Sequence, residues 1–456
     1  MSTALANFLK NNEYSLGMEE YTDGEQKLEV HVASEPSVDH DLAELAEAEL
    51  KQDEIARDCD TAMEMYVGME AYHDLLCNAL DNGGISAETA AFMQVAVEQY
   101  EVQFSTDTPV MPSLEAFGGS SSRQISTQAS AEGFKEKMKQ LWEATKKILK
   151  ALLNMLKDVV TKATYAAERL EKRAEEVAKK AGGMGSTTSR KTDKITLKGG
   201  GSLERVFLDG KYVGDDILTT AGVFAEVNVN LPKNLAKYIS DAASVIQGIN
   251  PSEPLTVNSM NALLDLDDVR KSFKAAKVIN DKRFPSGTDV YRSQTMPGNM
   301  AVFMTTPSAE SKEQQLADLQ SKGKLVLLPV VEAKKAPTEH EVKVGDVSEL
   351  RTRAQRIKDT ANKIVNSKKD YAALENAIAQ AMDAGDKLSK KAESAEMDKA
   401  TETAVKHTLR GIMVIQRMSG NVNGILSHSV RTLNSQLAIV ERELAAYGST
   451  AVTTTD

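Results

Sequence analysis

Cysteine, tryptophan and long apolar runs are what this chain of 456 residues has least of. Its two cysteines, Cys59 and Cys77, cannot staple a fold of this length and read as free thiols of a reducing compartment. Trp142 is the single tryptophan and aromatic residues make up 5% of the chain, which favours helix-rich architecture over a β-sandwich. No stretch approaches the roughly eighteen uncharged apolar residues of a membrane-spanning helix. The start, "MSTALANFLKNNEYSL", has no basic segment leading into an apolar block, so it does not read as a secretory signal.

Recognisable catalytic and metal-binding patterns are missing too. His31, His40, His73, His340, His407 and His428 have no metal-ligand spacing to a cysteine or to one another. "TEHEV" at 338–342 reads as solvated loop. "KGGGSLERV" at 198–206 is glycine-rich but is followed by no Gly-Lys-Ser/Thr, and no Gly-x-Ser-x-Gly elbow is present. Asp265, Asp267 and Asp268 lack the glycine and closing glutamate of a calcium loop, and read as helix surface. The expectation is a protein with no cofactor, no metal and no catalytic residue. Dispersed catalytic groups leave no pattern, so an enzyme stays open at this point.

Basic residues are scarce in one region only. Residues 1–115 hold 4 Lys/Arg against 25 Asp/Glu, a net of −21, whereas residues 116–456 hold 51 against 41, a net of +10. The overall charge of −11 describes neither part, and the two parts suit partners of opposite sign.

The turnover of sign coincides with a change in local grammar. Residues 1–40 are acidic and poor in apolar periodicity, with "ANFLKN" as one short helical turn. From Asp41 a helical spacing of small and apolar residues runs to "DNGG" at 81–84, and Ser86 starts another helix. Residues 1–115 thus read as an acidic, propeptide-like helical region. "TPVMPSLEAFGGSSSRQ" closes it, and 116–131 reads as a flexible Gly/Ser linker.

A long basic amphipathic helix is predicted over 132–182. Phe134, Met138, Leu141, Ile148, Leu152, Met155, Val159 and Ala163 step along it as one stripe. Between 135 and 180 there are 13 Lys/Arg and 7 acids, so the opposite face is basic. Lys146, Lys147, Lys150 and Lys157 are the candidates to face phosphate. The same face suits a membrane surface or simply solvent.

An α+β insert is expected over 194–331. "KITLK", the two runs around an Asp209-Gly210 turn, "VFAEVNVNL", "NMAVFMTT" and "KLVLLPVVEA" read as strands. Residues 345–448 read as helical, ending in the near-heptad Leu433, Leu437, Val440, Leu444 and Tyr447. "GNVNG" at 420–424 suits a close helix contact. The fold class expected is α+β, mainly α-helical, with an acidic helical leader, a long helix and C-terminal helices bracketing a small α+β insert.

Ser113-Leu114-Glu115 followed by Ala116 resembles the sites cut by the prohead proteases of large tailed bacteriophages. Those proteases cleave after a glutamate with a small or aliphatic residue two positions before it. The serine at 113 fits the jumbo-phage group alone. Ser130-Ala131-Glu132 followed by Gly133 is a second candidate, placed where linker meets helix. Ser86-Ala87-Glu88, Ser202-Leu203-Glu204, Ser308-Ala309-Glu310 and Ser394-Ala395-Glu396 match the pattern as well. Context separates Glu115, because Pro109 and Pro112 extend its approach and Gly118 and Gly119 loosen the chain beyond it.

The charge layout resembles that of the internal head proteins of such phages. The resemblance implies a structural component of the virion, inside the capsid, assembled in the host cytoplasm. Its acidic propeptide would be removed by the prohead protease during capsid maturation, and the mature part packaged with or near the genome. The partners implied are the prohead protease, other capsid or core proteins, packaged DNA, and oligomeric contacts through helices. Two other readings stay open here: a helical protein that binds a membrane or partner and carries an acidic autoinhibitory segment, and an enzyme ejected with the DNA.

Overall fold

The computed structural model describes residues 38–104, 110–184, 189–198, 201–278, 281–394, 405–409, 411 and 422–447. The expected turn at "ANFLKN", Gly420 and residues 185–188 lie outside the described residues. The fold is mainly α-helical with small antiparallel sheets, as expected. Contacts divide it into two units: one holds Lys51–Asn154, the other Met155–Asp456 together with residues 38–50.

Three helices and a turn build the first unit. Helix α1 (Val38–Leu80) contributes its later turns, followed by α2 (Ala87–Phe104), a 3-10 turn (Leu114–Phe117) and the first half of α3 (Ser120–Gly183). Gly83 and Gly84 adopt φ of 84° and 91° after α1, the left-handed stop that "DNGG" predicts. The Ser86 hydroxyl accepts from the Thr89 amide at 3.1 Å and starts α2. Met65, Met69, Leu76, Met93, Phe117, Phe134 and Leu141 fill the core between these helices.

The Gly/Ser stretch 116–131 is not a linker. From Ser120 it is helical and continuous with the predicted helix, so α3 is 64 residues long. Small residues here serve close packing. Thr127 donates to the Arg123 carbonyl at 2.7 Å while accepting from the Ile85 amide at 3.0 Å, and Ser130 donates to the Ser126 carbonyl at 2.8 Å. These hydroxyls bond within the helix, so burying them leaves no polar group unsatisfied. A Cβ on Gly84 would come within 2.7 Å of the Thr127 hydroxyl, and one on Gly133 would overlap the Val110 carbonyl oxygen.

In the second unit the rest of α3 runs antiparallel to α10 (Val347–Asn366) and α11 (Lys368–Ser394). Glu175 pairs with Lys358 at 3.0 Å and Glu171 accepts from Asn362 at 3.0 Å, so one chain position rises as the other falls. Helix α12 (Val422–Ala445) is buried along most of its length, including the near-heptad Leu433, Leu437, Val440 and Leu444. Arg173 of α3 reaches it by a bidentate pair with Glu441 and a 3.1 Å bond to Asn434. A Cβ on Gly424 would meet nothing within 4 Å, so this glycine makes no close helix contact.

The strands fall between these helices. β1 (Lys194–Lys198) pairs antiparallel with β8 (Glu339–Lys343), setting Leu197 opposite His340. "TEHEV" is therefore largely strand, not loop, because Val342 packs into the cluster of Leu197, Leu203, Val206 and Phe207. β2 (Phe207–Leu208) and β3 (Lys211–Tyr212) form the hairpin expected from Asp209-Gly210, with φ of 50° and 74° at the turn. β4 (Ala276–Val278), β5 (Thr288–Arg292), β6 (Met300–Pro307) and β7 (Lys324–Pro329) make one antiparallel sheet in that order.

"VFAEVNVNL" is helical rather than extended. It spans the end of α5 (Ile217–Ala225), a π-helical turn (Glu226–Asn230) and the start of α6 (Leu231–Gln247). The wide turn brings Val227 and Asn228 inside, where the Asn228 amide donates to the Phe224 carbonyl at 2.9 Å and to the Ser429 hydroxyl at 2.8 Å. Three short helices complete the unit's named elements: α4 (Gly201–Glu204) takes up part of "KGGGSLERV", and α7 (Val257–Leu264) and α8 (Asp267–Lys271) precede β4. Helix α9 (Lys312–Lys322) links β6 to β7 and is capped by Ser311, which accepts from the Gln314 amide at 3.1 Å.

A Gly→Ala change inside an exposed helix stabilises by about 1 kcal/mol. At Gly133 the sign reverses: Gly133→Ala lowers stability, by roughly 1–3 kcal/mol, because backbone must move to admit the methyl group. Urea unfolding of the two proteins checks this, and a stabilised variant would contradict the packing account.

Candidate functional site

The candidate processing junction is a closed turn, not an extended strand. Val110 and Met111 are buried just before it, and the Phe117 side chain is buried just after. Ser113 has extended backbone, φ −58° and ψ 150°, and Leu114–Phe117 then form the 3-10 turn. The Ala116 amide donates to the Ser113 carbonyl at 3.0 Å, the Gly118 amide to the Glu115 carbonyl at 3.2 Å, and the Ser126 hydroxyl to the Ala116 carbonyl at 3.0 Å. Ser113 and Glu115 are exposed, as is Leu114 at 39%. Gly118 takes ordinary right-handed backbone, φ −77° and ψ −24°, and α3 begins two residues later, at Ser120. Side chains can be read at this site, but the Glu115-Ala116 bond reaches a protease groove only when the turn opens.

Ser130, Ala131, Glu132 and Gly133 lie within α3. Ser130 and Ala131 are buried, and Glu132 is exposed, accepting from the Gln128 amide at 3.0 Å. The second candidate is therefore not at a boundary between linker and helix. Ser308-Ala309-Glu310 sits in a non-helical segment between β6 and α9 with Ser308 and Glu310 exposed. The Ser308 amide donates to the Gly287 carbonyl at 3.0 Å and Gln315 donates to the Ala309 carbonyl at 2.6 Å. Ser202-Leu203-Glu204 lies in α4, Ala87-Glu88 opens α2, and Ala395-Glu396 falls outside the described residues.

The four candidate lysines do not act as one group. Lys146, Lys150 and Lys157 share a side of α3 by their spacing, while Lys147 projects about 100° away. Lys146 is half-buried and pairs with Glu143 at 2.6 Å, while Lys147, Lys150 and Lys157 are exposed.

Several polar side chains of the α+β insert hold it together. Arg283 forms two bonds with Asp281, at 3.0 and 2.7 Å, donates to the Pro329 carbonyl at 2.6 Å and stacks 4.7 Å over Phe303. That guanidinium lowers the Asp281 carboxyl below its usual range, chiefly through the side-chain bond. Asp268 pairs with Lys237 at 3.1 Å and Asp265 accepts from the Asp267 amide at 3.1 Å. Among the described residues no group of three His, Cys, Asp or Glu could hold a metal ion, and no helix is long and apolar enough to cross a membrane.

One histidine has an unusual environment. His428 of α12 is half-buried, packs edge-on against Phe224 and donates from Nε2 to the Pro297 carbonyl at 2.8 Å. Burial lowers its pKa to about 4, against the Pro297 bond and with the help of Arg205 and Arg431. Arg431 is itself paired with Glu49 at 2.6 Å.

A family model described as phiKZ-like phage internal head proteins matches residues 40–442 of this chain. No curated protein matches it, and no solved structure does.

Because the folded chain protonates His428 later than the unfolded chain does, this group's contribution is complete above about pH 6.5. It is lost as the pH falls through about 4. The unfolding free energy from urea titration therefore falls across that window, by an amount on the order of 2–4 kcal/mol. His428→Gln, which keeps a donor for Pro297, flattens the slope; an unchanged slope would assign the loss to other groups.

Proposed function

The chain belongs to the phiKZ-like phage internal head proteins, structural components inside the capsid of the virion, and from that premise we propose that residues 1–115 are a propeptide which a prohead protease removes after Glu115. The observation that carries this reading is the charge step, −21 before the junction and +10 after it. Cleavage during capsid maturation would turn an acidic chain into a basic one at the stage when phosphate charge fills the head. In the host cytoplasm the leader keeps the chain from polyanions; in the particle the mature part lies with or near the genome. Its net of +10 is modest, so the contact with DNA is loose and salt-sensitive, with Lys150 and Lys157 among the exposed contributors. The role is structural, with no catalytic residue assigned.

Folding times the cut. Phe117 anchors the turn in the core, and the three hydrogen bonds across Ser113, Glu115 and Ala116 close it. Removing a buried phenylalanine costs about 3–5 kcal/mol, so even partial transfer of that cost to the turn raises its open population more than about tenfold. Phe117→Ala is thus cleaved faster than the parent chain by the phage's own prohead protease, whereas Glu115→Gln is not cut there.

Mass spectrometry of the protein from finished particles supplies the decisive test. A mature N-terminus at Ala116 is expected. An intact Met1 would sink the processing reading, and a start at Gly133 or Ser311 would move the cut to one of the rival glutamates.

A further inference from the structure

The first unit carries a cleft of about 540 Å³ between the end of α1 and the first turns of α3, with Gln124 and Gln128 among its lining. Leu80, Ile125 and Ala129 line it, and Ile125 stands 72% exposed. Asp81 and Glu132 rim it, both exposed, and neither has an ion-pair partner among the described residues. A large exposed isoleucine beside two unneutralised carboxylates suits an apolar group flanked by two cations.

The same chain presents such a group elsewhere. After β7, Val331 is 70% exposed, with Lys334 and Lys335 exposed and without ion-pair partners among the described residues. The loop is rigid for its exposure. The Val330 amide donates to the Asn299 carbonyl at 2.7 Å and the Ala333 amide to the Val330 carbonyl at 3.2 Å. The Lys334 amide donates to Asp209 at 3.0 Å while its carbonyl accepts from Asn299 at 2.9 Å. A pinned loop loses little entropy on docking.

We propose that the cleft of one copy receives the Val331 loop of a second copy, with Lys334 and Lys335 meeting Asp81 and Glu132. The contact is heterologous, cleft to knob, so it propagates head to tail rather than closing a two-fold dimer. Leu80 and Asp81 belong to the acidic side of the chain, whereas the rest of the cleft and the knob lie beyond residue 115, so the complementarity is local to the four charged side chains. The contact exists in the uncut chain and does not depend on processing. If residues 1–115 are removed, Leu80 and Asp81 leave with them and the contact is dismantled.

Sedimentation velocity of the uncut chain tests this. The weight-average sedimentation coefficient rises with concentration at about 0.05 M salt and the rise is suppressed at about 0.5 M, where charges are screened beyond a few Å. Asp81→Lys with Glu132→Lys abolishes the rise, and so does Lys334→Glu with Lys335→Glu. Mixing the two variants restores association, because the intact knob of one meets the intact cleft of the other and the two reversed surfaces are again opposite in charge. All four positions are exposed, and circular dichroism confirms that both variants fold. Self-association undiminished in either variant, or no association in the mixture, would overturn the proposal, and neither result bears on where the chain is cut.

Discussion

The second unit is organised around one buried ion pair. Glu443, near the end of α12, accepts from Arg353 of α10 at 2.6 Å and from the Gly345 amide at 2.8 Å, with both side chains out of solvent. Burial is the largest single influence on Arg353 and opposes its charge, but the hydrogen bond and charge of Glu443, with Tyr212 and Glu349, together raise its pKa. Around this pair the chain crosses itself. Tyr447 donates to the Gly345 carbonyl at 2.6 Å, Arg190 reaches both Tyr447 and the Val344 carbonyl at 2.9 Å, and the Lys191 amide bonds Ala446 at 2.8 Å. The strand pair β1 and β8, the start of α10 and the end of α12 are thereby fixed to each other. Removing one member of such a pair strands a charge in the interior, which costs about 3–5 kcal/mol, whereas its formation is conformationally selective. A Cβ on Gly345 would come within 2.8 Å of the Arg353 guanidinium, so the glycine is part of the arrangement.

Much of this could be read in the sequence wherever one physical cause dominated. Apolar residues recurring at helical spacing marked α3, α10 and α12, because burial of one face decides those helices. The Asp209-Gly210 turn was legible because two successive positive φ angles admit few residues. Errors arose where one composition has two causes. Glycine and serine in 116–131 read as flexibility, yet Thr127 and Ser130 are small because Ile85 and the Ser126 carbonyl lie against them. Alternation in "VFAEVNVNL" read as strand, but a π-helical turn and a partner hydroxyl on Ser429, some two hundred residues away, accommodate Asn228. β8 was hidden for a related reason: its polar "EHEVK" gains a strand's stability only from β1, which no local window contains.

The candidate junction was legible as a pattern and not as a conformation. Ser113, Leu114 and Glu115 are displayed as a recognition sequence should be, but the peptide bond after Glu115 is folded into a turn anchored by Phe117. The motif is read from side-chain identity, while turn closure depends on Ser126 and on a core assembled from three helices. Local composition carries no information about either.

That shared core changes what removal of the acidic region would mean. A leader joined by a flexible tether leaves its partner unaltered when it goes. Here α1 packs against the apolar stripe of α3, and Phe134, Met138, Leu141, Ile148 and Leu152 are buried. Tyr72 of α1 stacks 6.0 Å from Phe134. Residues 38–50 also act within the second unit, where Asp41 pairs with Arg169 at 3.1 Å and Glu49 with Arg431. On the proposed cut, charge reversal and loss of apolar cover therefore occur together. Each buried Leu, Ile, Phe or Met side chain returned to water costs about 1.5–3 kcal/mol, so the uncovered stripe is driven to find a new surface. A product of this kind is poorly suited to remain a free monomer and better suited to a crowded interior that offers the stripe other protein surfaces. The acidic region is in this sense half of a folding unit, and its departure would be a change of structure as much as a change of charge.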